Sequence, residues 1–295
     1  MIKISNIKIP AEISSDRLTS YAASALGLRE NDLTFVKILK LSVDSRKKPN
    51  VNRVFTAVFK CENEGKLIKR YPKTVSFYTE KKYKFPYSGP AAQNRPVVVG
   101  FGPGGIMASL MLTRAGIPPI VIERGYDIDT RTSDVASFWS GGELKENSNV
   151  QFGEGGAGLF SDGKLTTGIN DERIGYVLSE FVSFGAPEDI LYLSKPHIGT
   201  DRLKITVKNI RQYLISKGCD IRFGAALTGI NTSGGKIVSA TVSDSSGTYD
   251  IKTDALILAL GNSARDTFKM LFDSGLEMEK KPFAVGVRIE HLQKE

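Results

Sequence analysis

The sequence predicts an α/β protein, with a parallel sheet flanked by helices and an antiparallel β-meander, preceded by a small α+β unit. Three observations predict it. A continuous apolar run, Val97–Val99, passes through a glycine-rich turn directly into a helix-like stretch. Apolar strand-like runs then alternate with capped helical segments, as in parallel sheets. Finally, the β-rich stretch 227–251 is broken by Ser233-Gly234-Gly235 and by Asp244-Ser245-Ser246-Gly247, which makes it a meander.

The elements follow in chain order. Ile2, Ile4, Ile7 and Ile9 give an apolar first strand. A helix is expected from about Asp16, after Ser14-Ser15, to Gly27. Phe35–Val43 and Val54–Phe59 read as strands joined across Asp44–Asn52, a connection that carries Arg46-Lys47-Lys48. Residues 1–85 therefore form a basic α+β domain. Residues 86–96, with Pro86, Pro90 and Pro96, form a linker. From 97 to 270 the pattern is α/β. Strands are expected at Val97–Val99, Ile120–Glu123, Ile221–Phe223 and Ala255–Leu260. Helices are expected over Ile106–Ala115, Asp171 to Gly185, Asp201 to Gly218 and Ser263 to Gly275. Phe283–Glu290 alternates in the manner of a half-buried strand, and residues 271–295 would open a further domain.

Composition narrows the function classes. At 295 residues, 41% hydrophobic and 24% charged, the chain is of ordinary globular make-up and long enough for two domains. Its two cysteines, Cys61 and Cys219, form no C-x-x-C pair, and with two histidines a zinc site is not expected. The N-terminus lacks the apolar core of a signal peptide. Pro96–Thr113 is uncharged over 18 residues, but its glycines mark a strand-turn-helix rather than a membrane span. A cytoplasmic location is expected, with no membrane partner. Charge is uneven: residues 1–95 hold 19 Lys+Arg against 8 Asp+Glu, a net +11, whereas the whole chain carries +8. The excess hints at an acidic partner, either RNA or a redox protein.

The chemistry-bearing motif is Gly100-Phe101-Gly102-Pro103-Gly104-Gly105, a G-x-G-x-x-G after a strand and before a helix. The first glycine (Gly100) makes the tight turn, Gly102 lets the backbone approach a pyrophosphate, and Gly105 lets helix and strand pack closely. The phosphates would sit at the helix N-terminus. Glu123 ends the second strand, with 17 residues between it and Gly105, where an acid accepts hydrogen bonds from ribose hydroxyls and repels a 2′-phosphate. That argues against NADP in this site, although Arg124 follows immediately. The domain is thus Rossmann-like. A second G-x-G-x-x-G, Gly153–Gly158, lacks the strand and helix on its flanks. It reads either as a loop whose N–H groups face a phosphate or a ring, or as a structural loop.

With these segments in order, the chain resembles the glutathione-reductase-like, two-dinucleotide-binding flavoprotein superfamily. VVVGFGPGG, IVIERG, SNVQFGEGGAGLFSDGKLTTG, KPHIGTDRL, ALGNSARDTF and FAVGVRIEH sharpen the resemblance to a family of bacterial FAD-dependent dehydrogenases. It is closest over residues 83–295. The resemblance implies FAD as cofactor, held at Gly100, Gly102, Pro103, Gly104 and Gly105, with Glu123 and Arg124 at the ribose. It also places Gly155, Gly156 and Gly158 near the pyrophosphate or flavin, Leu227 at the adenine and Gly261 near the FAD. Asn262 stands where relatives often carry His, so no acid–base role is assigned there. Relatives continue through a substrate domain and a returning segment, so a chain ending at Glu295 is expected to be a fragment.

The expected function is an FAD-dependent oxidoreductase acting on an unidentified small molecule, with NAD(P)H or a redox protein as electron donor. Without a C-x-x-C pair it should not be a disulfide reductase. The alternative is a flavin-containing module whose basic N-terminal domain docks RNA or an acidic redox partner. His197 reads as a local hydrogen-bond partner, and Arg288 as a solvated strand residue. No catalytic base is assigned.

Overall fold

The computed structural model describes residues 1–80, 83, 93–161, 163–287 and 289–293. The N-terminal unit runs β1 (Ile2–Pro10), α1 (Leu18–Leu26), β2 (Leu33–Lys47), β3 (Asn50–Cys61), α2 (Glu64–Arg70) and β4 (Val75–Phe77). Its antiparallel sheet has the order β2-β3-β1-β4, the split β-α-β arrangement. The uneven spacing of the four isoleucines has a cause. A register shift between Ile4 and Ile7, with Asn6 at φ 61°, turns all four onto one face. There they pack with Phe55, Ala57 and Phe59 beneath α1 and α2. Each fully buried side chain of this kind contributes roughly 1.5–3 kcal/mol. Helix α1 ends where expected, at Gly27 in the left-handed conformation.

Two expectations for this unit needed correction. The hairpin is tighter than predicted, because Asp44 pairs with Asn52 and Lys47 with Asn50, carrying both strands into the basic segment. Helix α2 and strand β4 were not expected. Glu64, Lys66, Lys69 and Arg70 make α2 mostly charged, and it buries Leu67 alone, so it shows no apolar stripe.

The second unit comprises β5 (Val97–Val99), α3 (Pro103–Arg114), β6 (Ile120–Glu123), α4 (Ile128–Trp139), α5 (Arg173–Ser183), α6 (Thr200–Ser216), β7 (Asp220–Phe223), β8 (Ala226–Ser233), β9 (Lys236–Asp244), β10 (Gly247–Lys252), β11 (Leu256–Leu258) and α7 (Arg265–Asp273). Strands β11-β5-β6-β7 form the predicted parallel sheet, and β10-β9-β8 the predicted meander. Alternation across β5 and β6 builds three layers. Val98 and Val121 face α3, α5 and α6, while Val97, Val99, Ile120 and Ile122 face the meander. The uncharged stretch Pro96–Thr113 is β5, a turn and α3. Among the described residues no helix is long and apolar enough to cross a membrane.

Several boundaries move. Helix α3 starts at Pro103, inside the glycine motif, because proline suits the first helical position. Helix α6 starts at Thr200, so Asp201 lies in its first turn rather than capping it. Helix α7 spans Arg265–Asp273, two residues inside its predicted cap. Helix α4 was not expected at all. Its inward face is Ile128, Arg131, Asp134 and Val135, so half of the buried stripe is charged and invisible to apolar periodicity.

Most of the expected linker lies outside the described residues. Its described end is tied down: Gln93 and Asn94 N–H groups donate to Asp254, and the Arg95 guanidinium donates to the carbonyls of Pro118, Pro119 and Gly218. Among the described residues of Phe283–Glu290 the expected strand does not form. Phe283, Val285, Val287 and Ile289 are exposed, because no neighbouring strand pairs with them among the described residues. Arg288 lies outside the described residues. The two units meet at the β2 edge, where Leu41 N–H donates to Tyr192 O at 2.7 Å and Ser194 N–H to Leu41 O at 2.9 Å.

Candidate functional site

A cleft of about 360 Å³ opens at the C-terminal ends of β5, β6 and β11, where ligands sit in open α/β sheets. Its floor is the turn from β5 into α3. Gly100 has φ 96°, and a Cβ there would collide with the carbonyl oxygen of Ala259, at the end of β11. A Cβ on Gly105 would strike the carbonyl oxygen of Gly100. The first and third glycines are thus demanded by backbone packing. Gly102, Pro103 and Gly104 face the cleft, at a helix start whose first N–H groups have no intrahelical partner.

Glu123, 5% exposed, ties the site together. Its Oε2 accepts from Phe101 N–H at 2.7 Å, and its Oε1 from Gly125 N–H at 2.9 Å and Gly153 N–H at 3.0 Å. A carboxylate has about four acceptor positions, so one remains for a ribose hydroxyl. Arg124 points into the same cleft but is already committed. Its guanidinium donates to both oxygens of Asp266 at 3.0 Å and to Thr267 Oγ1 at 2.8 Å, and lies 4.7 Å from the Phe152 ring centre. Burial works against the Asp266 charge, yet Arg124 and the Thr267 N–H hold its carboxyl below the ordinary value.

The second glycine loop is a structural loop over Gly153–Gly156. The four N–H groups donate in turn to Glu123, Tyr126 O, Phe101 O and Gly153 O. It therefore offers the cleft no free N–H groups over that stretch, although Gly153 and Gly156 line it, followed by Ala157. Gly155 and Gly158 instead open onto a second cavity, behind Pro103.

What shapes this loop is Arg131, which the sequence did not reveal. The side chain is fully buried, and all its hydrogen bonds go to main-chain carbonyls: Nε to Asn149, Nη2 to Val150, and Nη1 to Glu154 at 2.7 Å, Gly156 at 2.9 Å and Gly153 at 3.4 Å. Burial lowers its pKa to about 10, with Glu123 and Glu154 opposing, so it stays charged at neutral pH. Glu154 is likewise buried. Its Oε2 accepts from Ile128 N–H, while Arg211 Nε lies 3.3 Å from Oε1 as an ion pair. Burial pushes the Glu154 carboxyl above its ordinary value despite Arg211.

Of the sequence-predicted residues, Gly100, Gly102, Pro103, Gly104, Glu123, Arg124, Gly156, Leu227 and Gly261 share the cleft, and Gly105 lies just beneath it. Asn262 also lines it. His197 is exposed and does not line the cleft. Asp266, Thr267, Phe152 and Arg131 were missed, since each acts through a partner distant in sequence.

Residues 1–59 match a family described as "Domain of unknown function (DUF8436)". The chain is 44% identical over 294 residues to an uncharacterized protein of Clostridium beijerinckii (strain ATCC 51743 / NCIMB 8052), covering 99% of this chain and 54% of that one. It thus spans about half the length of the curated relative it matches. Among solved structures it is similar to THI4 of Thermovibrio ammonificans, with a TM-score of 0.41 at 14% identity, over 62% of this chain and 64% of that chain. It is also similar to the open conformation of a flavocytochrome c3 fumarate reductase, with a TM-score of 0.38 at 18% identity, over 64% of this chain and 38% of that chain.

Proposed function

We propose that the protein is an FAD-dependent oxidoreductase whose cleft holds the adenosine diphosphate half of the cofactor. The observation that carries this reading is the turn at Gly100–Gly105, locked under the β11 end and facing a helix N-terminus, with Glu123 retaining one open acceptor position. The cleft volume, about 360 Å³, lies at the small end of ligand sites and suits half a dinucleotide. When bound, FAD supplies hydride or electron transfer, and the protein supplies orientation and electrostatics.

In this reading the α3 N-terminus and Gly102 receive the pyrophosphate, Glu123 the ribose, and Leu227 and the Arg124–Asp266 pair flank the adenosine. The Arg124 charge is matched by Asp266, which leaves no spare cation for a 2′-phosphate. An NAD(P)H or redox-protein donor belongs to the same proposal.

The test is the visible absorption spectrum of the purified protein, with identification of the flavin released on denaturation. FAD is expected, and ADP should compete for its rebinding. A colourless protein whose melting temperature does not rise with added FAD would overturn the reading.

A further inference from the structure

We propose that the second cavity is a substrate site and takes an uncharged, largely apolar small molecule with a carbonyl or hydroxyl end. This assignment rests on the flavin reading for the chemistry performed there, and on the cavity alone for the class of ligand.

The cavity measures about 600 Å³, within the roughly 300–1,000 Å³ of small-molecule sites. It adjoins the cofactor cleft through chain-adjacent groups. Pro103 lines both, and of the consecutive glycines Gly156 faces the cleft and Gly155 the cavity. Gly158 also lines it, and a Cβ there would meet nothing within 4 Å, so the loop presents open space to this side.

Its walls come from three helices: Ile106 and Met107 of α3, Val177 and Leu178 of α5, and Leu203 and Val207 of α6. Met107, Val177 and Leu178 are only partly buried although they pack against the core cluster. Apolar surface left in water costs about 25 cal/mol per Å², which an apolar ligand would recover. Met107 lends the wall adaptability.

Polar groups at the rim set the rest of the class. Thr166 and Thr167 offer hydroxyls suited to a carbonyl or hydroxyl, and Ser161 Oγ, which already donates to Gly158 O at 3.0 Å, can still accept from a hydroxyl. The rim charges do not select a charged ligand. Arg173 and Asp171 pair with each other at 2.6 Å, and Lys164 is also engaged. A dicarboxylate or an amino acid would enter an apolar space whose rim charges are already committed to other partners, at a large desolvation cost. A neutral ring system would not.

Menadione, a neutral quinone, and fumarate, a dicarboxylate, serve as probes in calorimetric titrations of the full-length protein loaded with FAD. Menadione should bind saturably and fumarate should not. Val177→Trp, which fills the cavity, should weaken menadione at least tenfold while leaving FAD content and melting temperature unchanged. Met107→Phe is the second variant should Val177→Trp fail to fold, with the same expectation. No menadione binding to the FAD-loaded protein, equal binding by the filled variants, or displacement of menadione by fumarate would each overturn the proposal. A protein that takes up no FAD, yet binds menadione in a Val177-dependent way, would remove the flavin reading and leave the cavity as an apolar ligand site.

Discussion

Arg131 is the residue on which the site geometry depends most. A buried guanidinium that donates to five carbonyls of residues 149–156 shapes the loop against which Glu123 and Phe101 are set. Arg131→Met removes every donor and leaves those carbonyls in an apolar setting. The expected cost is about 3–5 kcal/mol, read from the urea midpoint, with ADP binding weakened in whatever fraction remains folded. Gly100→Ala meets both a positive φ and the Ala259 carbonyl, and should cost about 3 kcal/mol by the same measurement. Glu154 gives a pH prediction. Its folded-state pKa is raised, so the stability it contributes is present at low pH and is lost as pH rises through that pKa. Glu154→Gln abolishes that loss. The melting temperature of the variant relative to the native protein should therefore increase as pH rises above the ordinary carboxylate range, and a flat difference would contradict the burial argument.

At the scale of elements, α4 delivers Arg131 into the loop, and its start is set by Asp127. The Asp127 carboxylate accepts from the N–H groups of Asp129 and Thr130, a side-chain N-cap. Asp127→Ala should cost about 1 kcal/mol, with faster amide exchange confined to the first turn of α4. The β5-turn-α3 unit behaves differently. Its conformation is imposed by the Ala259 carbonyl, just past the end of the neighbouring strand β11, closing on Gly100 and by Gly105 meeting the Gly100 carbonyl, so the element is held by backbone contacts and tolerates no side chain at those two positions.

Across the whole molecule, two cores are joined by a short stretch of backbone pairing between β2 and residues 192–194. Ser194 N–H and its Oγ both donate to the Leu41 carbonyl. Ser194→Pro removes both donors while touching neither core. The expected result is faster hydrogen exchange at the Leu41 amide and a more expanded solution-scattering profile, with each core's amide protection retained. Loss of protection throughout the N-terminal unit would show instead that its stability depends on docking. The exposed residues Phe283, Val285, Val287 and Ile289 belong to this scale as well, since their alternation is that of a strand while no strand pairs with them among the described residues.

By itself the sequence determined the fold class, the positions of the parallel strands and of the meander along the chain, and the glycine motif with Glu123, whereas the sheet order β11-β5-β6-β7 came from the tertiary structure. Those features are written in short-range patterns: a period of two in the strands, turn residues between them, and glycines where backbone meets backbone. The isoleucine series of β1 was legible for the same reason, although the bulge that reconciles its spacing was not. Only the tertiary structure decided what fills the space around the motif. Arg131, Asp266 and the use of the Gly153–Gly155 N–H groups depend on partners 18 to 142 positions away, and a charged residue buried against carbonyls looks in sequence like one facing water. Tertiary packing likewise separated Gly155 from Gly156, turning one toward the apolar cavity and the other toward the cleft at the strand ends. Local patterns report the conformation of a segment, whereas long-range packing determines what that segment touches, and at this site the contacts decide the chemistry.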